Sequence, residues 1–175
     1  MSLTDEITGK QIVLIVFPKV KYLSQLMEVV KAADAVSKKI CYVSLNKPYS
    51  SIIDALKKNN LNIGKYFFID VLTSTVKTPT PVDNCEFVQS PSALTDISLA
   101  FTKAVQEKSC DNVLFDTIST LTIYQDIGEI IKFTQNLMTK ARVNNVKSVY
   151  IALKEDSAEL VKDLTMFVDG VIELS

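Results

Sequence analysis

The segment Gln11–Phe17 reads QIVLIVF, with six apolar residues in seven and no polar/apolar alternation. An alternating strand can leave one face in water, but a continuous apolar, β-branched run has to be covered on both. Such runs recur at Lys39–Leu45 (KICYVSL), Tyr66–Asp70 (YFFID), Asn112–Asp116 (NVLFD), Ser148–Leu153 (SVYIAL) and Gly170–Leu174 (GVIEL). Between them the apolar spacing becomes helical. Tyr22–Val36 places Tyr22, Leu23, Leu26, Met27, Val29, Val30, Ala33 and Val36 on a wide buried face. Pro48–Asn59 gathers Ile52, Ile53 and Leu56 on one side, and Ser92–Lys108 reads as a helix that Ser90 or Ser92 is placed to cap. Asp126–Val143 turns Ile127, Ile130, Ile131, Phe133, Leu137, Met138 and Ala141 inward, and Ser157–Val168 is the last helix. Segment 71–91 holds Pro79, Pro81 and Pro91 and reads as an irregular excursion with a short extended piece at Glu86–Gln89. Strands alternating with helices predict a three-layer α/β fold, with a mostly parallel six-stranded sheet covered on both faces. The 175 residues are expected to form a single domain, 1–175.

Composition narrows the chemistry. Nineteen basic residues oppose twenty acidic ones, for a formal charge of -1, and Arg142 is the one arginine. Phosphate-backbone binding needs clustered Lys and Arg, so nucleic acid is not an expected partner. Histidine is absent, which removes the commonest general base, the usual zinc sites and every Ser-His or Cys-His arrangement. Cys41, Cys85 and Cys110 are odd in number and far apart. They read as free buried thiols in a reducing cytoplasm. The polar start, Met1–Lys10, is unlike a signal peptide, and no apolar run approaches the roughly 18 residues that span a bilayer. A cytoplasmic protein with no membrane association is the expectation.

In open α/β sheets, ligands bind outside the carboxyl ends of the strands. The polar residues there are Lys19, Lys21, Ser44, Asn46, Asp70, Asp116, Thr117, Ser119, Thr120 and Lys154. Asp70 and Asp116 each end an apolar strand, which suits a metal-binding or general-base carboxylate, although for either residue alone a helix cap or a solvated strand end is the plainer reading. Phosphate cradling requires glycines, because backbone amides must close on the anion. The turn Phe17-Pro18-Lys19-Val20-Lys21-Tyr22 has none, so Lys19 and Lys21 read as surface lysines. A response-regulator receiver needs an acidic pair after the first strand, where this chain has Phe17-Pro18. A dinucleotide fold needs GxGxxG at the same turn. Both readings fail.

Asn112–Ile118 (NVLFDTI), with the long helix reaching Lys140-Ala141-Arg142, resembles the Walker B strand and following helix of the KaiC and RadA branch of RecA-type ATPases. Cys41–Asn46 (CYVSLN) followed by Lys47-Pro48 resembles the second strand of that branch. The likeness runs from about residue 11 to 174. It implies the P-loop NTPase strand order 3-2-4-5-1-6 for the six strands. The departures bear on activity. The Walker A motif GxxxxGK[ST] is missing between Phe17 and Tyr22, with Lys21 the nearest counterpart of its lysine. The activating glutamates correspond to Asn46 and Lys47. Asp116, the metal-side aspartate, alone remains. Phosphoryl transfer depends on positioning and charge stabilisation, so the resemblance, which is to inactive archaeal relatives of KaiC-like ATPases, implies the fold and speaks against hydrolysis.

The expectation is a non-hydrolysing binding, scaffolding or regulatory module with no catalytic residue, metal or cofactor. Lys21, Asn46, Asp70, Asp116 and Thr117 are the candidate ligand-binding residues. The alternative is a ligand- or nucleotide-binding enzyme or sensor using Asp70 and Asp116. Gly170–Leu174 falls at the sheet's edge in the implied order. Its unpaired backbone groups invite a second copy of the chain or a protein partner.

Overall fold

The computed structural model describes residues 1–156 and 158–175. Its elements in chain order are α1 (Leu3–Thr8), β1 (Ile12–Phe17), α2 (Tyr22–Ala35), β2 (Ile40–Ser44), α3 (Tyr49–Lys58), β3 (Tyr66–Asp70) and β4 (Cys85–Phe87). They are followed by α4 (Leu94–Gln106), β5 (Asn112–Asp116), α5 (Ile127–Val143), β6 (Lys147–Leu153), α6 (Ala158–Leu164) and β7 (Gly170–Glu173). The strands form one sheet in the order β4-β3-β2-β5-β6-β1-β7, and every strand pairing in it is parallel.

This corrects the expected six strands in the order 3-2-4-5-1-6. The sheet has seven. The added strand, β4, lies in the segment read as irregular and pairs with β3 at the outer edge, Phe68 opposite Cys85 and Asp70 opposite Phe87. β5 lies beside β2, and β1 lies between β6 and β7.

The continuous apolar strands are covered as their composition demands. All six residues of β1 are buried, as are all five of β2, β3 and β5. Successive side chains point to opposite faces. Val13, Ile15 and Phe17 of β1 therefore meet Leu26, Val29 and Val30 of α2, with Ile52 and Leu56 of α3 on the same face. Ile12, Leu14 and Val16 face the other layer, built from Ile97 and Phe101 of α4, Leu137 and Met138 of α5, and Leu160 and Leu164 of α6. Each such side chain contributes roughly 1.5–3 kcal/mol on burial. A charged residue in mid-β1 would therefore be buried unpaired in the layer its side chain faces.

With four glycines in the chain, asparagine supplies the left-handed residue that ends two helices. Asn60 follows α3 at φ 59° and Asn145 follows α5 at φ 54°. The amides of Asn60 and Leu61 return to the carbonyls of Lys57 and Leu56, and those of Asn145 and Val146 to Arg142 and Ala141, each the paired closure of a Schellman motif. Each stop turns the chain towards the next parallel strand.

Local details add to or revise the pattern read from the sequence. α1 forms behind a capping box in which the Ser2 hydroxyl accepts from the Asp5 amide while the Asp5 carboxylate accepts from the Ser2 amide. α4 begins after Ala93 with no side-chain cap, because the hydroxyls of Ser90 and Ser92 bond to each other at 2.8 Å instead. The first residue of the helix expected at Ser157–Val168 lies outside the described residues. The rest of that segment forms α6 and then a 3-10 turn, Thr165–Phe167. All three cysteines are free and buried. Among the described residues, no helix is long and apolar enough to cross a membrane.

Candidate functional site

β2 ends at Ser44, which pairs with Asp70 of β3 on one side and Asp116 of β5 on the other. The two aspartates thus flank β2, their side chains on the sheet face that carries α2 and α3. α3 leaves β2 towards that face, whereas α5, after β5, packs on the opposite one. Divergence of this kind opens a crevice at the carboxyl ends of an open sheet. Here side chains of the protein fill it.

Asp116 is fully buried. The Tyr22 hydroxyl, at the start of α2, donates to its carboxylate at 2.7 Å from Oδ1 and 2.9 Å from Oδ2. The Tyr42 hydroxyl, from β2, donates to Oδ2 at 2.6 Å. Asn46 Nδ2 donates to Oδ1 at 3.2 Å and to the Tyr22 oxygen at 3.0 Å. The network continues outward through a short bond from the Thr120 hydroxyl to Asn46 Oδ1, and a 3.0 Å contact between the Thr120 and Thr117 hydroxyls. The Asp116–Thr117 peptide is cis. Burial holds the Asp116 carboxyl above the usual carboxylate range, against the pull of the two tyrosine hydroxyls, Lys47 and Asn46. Burial, reinforced by the neighbouring Asp116 charge, pushes the Tyr22 and Tyr42 phenols up, so both remain donors.

Asp70, equally buried, has different partners. Its Oδ1 accepts from the amides of Leu72 at 2.7 Å and Thr73 at 2.9 Å. Its Oδ2 accepts from the Tyr49 amide at 2.8 Å and the Thr73 hydroxyl at 2.5 Å. It therefore ties the first residue of α3 to the turn after β3. Beside that turn lies a cleft of about 530 Å³, bounded by the start of α3 and the segment from Leu72 to Phe87.

The structure thus brings Asn46, Asp116 and Thr117 into one hydrogen-bonded group and places Asp70 across β2 in another. Lys21 is exposed at the end of a 3-10 turn, Lys19–Lys21, that joins β1 to α2. The Lys19 amide donates to Glu155 Oε1 at 3.0 Å, and the Lys19 ammonium lies 2.5 Å from Asp156 Oδ1. Of the other polar strand-end residues, Ser119 accepts from the Leu153 amide at 2.8 Å, and the Ser44 hydroxyl makes a short bond to the Lys47 carbonyl.

A magnesium nucleotide, the group that an active ATPase of this fold would hold, does not fit these residues. Asp116, which the resemblance puts on the metal side, already accepts from Tyr22, Tyr42 and Asn46. At the turn after β1, an amide that would have to face a phosphate faces a glutamate instead, with a second carboxylate beside it. Sequence reasoning missed Tyr22 and Tyr42 because both sit at apolar positions in their elements. The available signal was the residue type, since a buried tyrosine needs a partner for its hydroxyl. Glu155 and Asp156 gave no such signal.

No family model and no curated protein matches the chain. Among solved structures it is similar to a KaiC-like protein from the hyperthermophilic archaeon Pyrococcus horikoshii OT3, with a TM-score of 0.70 and 13% identity, over 94% of this chain and 72% of that one. At that identity the likeness is one of fold: a KaiC-like, RecA-type parallel α/β sheet.

Proposed function

We propose that this chain is a RecA/KaiC-like fold protein that does not hydrolyse nucleotide and acts as a binding, scaffolding or regulatory module, its partner a second copy or another protein. One observation carries the reading. The carboxylate at the metal-side position is sealed by two tyrosine hydroxyls and an amide, so a metal ion would have to displace internal donors that are worth roughly 1.5–3 kcal/mol each to a charged acceptor. The glycine-free turn after β1, with Glu155 on its Lys19 amide, supports the same conclusion. In this reading Asn46, Asp116 and Thr117 stitch β2, β5 and α2 together, and Lys21 is a solvated surface charge.

The test is magnesium-dependent ATP hydrolysis by the purified chain. Turnover indistinguishable from buffer, with no sub-millimolar ATP affinity, is expected. Hydrolysis that requires magnesium and disappears in Asp116→Ala would reverse the assignment and restore the enzyme reading. A ligand sensor organised around Asp70 is the second reading, favoured by the cleft beside that residue.

A further inference from the structure

We propose that the cleft between the start of α3 and the Leu72–Phe87 segment is the binding site of this module, and that it takes a small planar aromatic molecule bearing a carboxylate. The inference rests on the second reading, the ligand sensor organised around Asp70, and names its site and ligand class. Its failure would leave the absence of hydrolysis untouched, because the two are measured separately.

At about 530 Å³, the cleft falls within the range of small-molecule sites, roughly 300–1,000 Å³. Its walls are mainly apolar, from Tyr49, Leu72, Val76, Val82 and Phe87. Val76 is 84% exposed and Val82 38%, so a ligand would cover apolar surface now in water. The ring of Tyr49 is fixed from several directions. It meets Phe68 edge-on at 5.2 Å and Phe87 at 6.1 Å, and its hydroxyl donates to Asn84 Oδ1 at 2.8 Å. A rigid aromatic wall favours a flat ring, since little side-chain entropy is lost on contact.

Polar groups select the rest of the molecule. The Thr73 and Thr75 hydroxyls donate within the protein, to Asp70 Oδ2 and the Leu72 carbonyl, so Thr80 brings the hydroxyl to the cleft, and Lys77 is the one charged residue among its described lining residues. A ligand carboxylate would meet the Thr80 hydroxyl and the Lys77 ammonium there, and among the described lining residues no carboxylate opposes it.

Asp70 is the positioning residue. It does not line the cleft, yet three residues that do, Tyr49, Leu72 and Thr73, donate backbone amides to it. Four hydrogen bonds to one buried carboxylate hold the floor of the cleft in register with β3. They also give a role to a segment that sequence pattern alone reads as irregular.

The experiment follows backbone amide resonances of the full chain during titration with 2-naphthoate and with 2-naphthalenemethanol, its uncharged counterpart. Saturable shifts at Tyr49, Thr73, Lys77 and Phe87 are expected, with a Kd of about 1 mM, ordinary for a ligand of this size. The alcohol should bind about threefold more weakly, the scale of one exposed charge. Thr75→Trp fills the cleft from an exposed position and should abolish the shifts. Lys77→Gln should bring 2-naphthoate down to the affinity of the alcohol and leave the alcohol unchanged. Asp70→Asn should weaken both probes roughly tenfold and move the Tyr49 amide resonance upfield, since the side-chain nitrogen that replaces Oδ2 cannot accept from that amide. Lys132→Gln, an exposed change on α5 outside the cleft, should alter neither affinity. Absence of saturation by about 20 mM, far above the expected Kd, or shifts that survive Thr75→Trp, would overturn the site. Equal affinities for the two probes in the unmodified chain would overturn the carboxylate assignment. Thr75→Trp and Lys77→Gln decide both questions even if Asp70→Asn does not fold.

Discussion

Tyr42→Phe isolates the bond on which the closed crevice depends. Tyr42 is 1% exposed, and phenylalanine fills the same space without the oxygen, so no cavity of consequence is made. The substitution removes a 2.6 Å bond to Asp116 Oδ2 and leaves that oxygen with the longer, shared bond from Tyr22 at 2.9 Å. Hydrogen bonds to charged groups are worth about 1.5–3 kcal/mol, and the remaining donor offsets part of the loss, so about 2 kcal/mol of destabilisation is expected at pH 7. In a chain of this length that lowers Tm by about 4–8 °C. Urea unfolding followed by circular dichroism should show a lower midpoint with an unchanged slope. The pH dependence is diagnostic. Burial raises the folded-state pKa of Asp116 above its ordinary 3.8, so the native state holds the proton more tightly than the unfolded chain does. Stability linked to this group is therefore complete below that ordinary value and is lost as pH rises through the folded pKa. The Tyr42 hydroxyl opposes this loss by stabilising the carboxylate, so the penalty of Tyr42→Phe should be largest at neutral pH and shrink on acidification through the folded pKa. A penalty below about 0.5 kcal/mol, the usual size of a surface change, or one independent of pH, would refute the account.

Asp169, just before β7, receives the amides of Gln11 and Ile12 and the Arg142 guanidinium. Burial works to raise its pKa but is outweighed by those partners, and the net shift is downward. Its stabilisation is present above the ordinary carboxylate pKa and lost as pH falls through the depressed folded value. Asp169→Asn should therefore cost about 1 kcal/mol at pH 7, reduced by solvent screening of this partly exposed pair, and almost nothing at pH 2, read from urea midpoints. The proposed association should appear as a sedimentation coefficient that rises with concentration. It should be weakened by Val171→Lys on the edge strand β7, and a monomer at every accessible concentration would remove the homodimer form of the idea.

Much of the fold was legible because the strands announce themselves. Runs such as QIVLIVF have no alternative to a doubly covered position, and the helices between them show an uninterrupted apolar face. β4 was not legible. Cys85–Phe87 is three residues long, and its place is set by bonds to the neighbouring strand, from the Phe68 amide to the Asn84 carbonyl and from the Val88 amide to the Asp70 carbonyl. Nothing within the segment specifies those partners, and the omission left the strand count one short. α1 was legible but overlooked, since Ser2-x-x-Asp5 is the pattern of a capping box. The site was readable as a location and not as an arrangement. Asp116 lies 74 residues from Tyr42 and 94 from Tyr22, so the donors that close it come from elements whose approach depends on the whole sheet.

Asp70 and Asp116 show why residue type and strand position do not fix a role. Both end an apolar strand, both pair with Ser44, and both are fully buried. What differs is the source of their hydrogen bonds. Asp116 is satisfied by side chains, two of them from elements that cover the sheet's carboxyl end, and those side chains occupy the space above it. Asp70 is satisfied by three amides and one hydroxyl, from the start of α3 and the turn after β3. Backbone donors fill no such volume. They bend the chain around the carboxylate and leave side chains free to line the space beyond it. The same buried charge therefore plugs the crevice at β5 and frames an open cleft at β3.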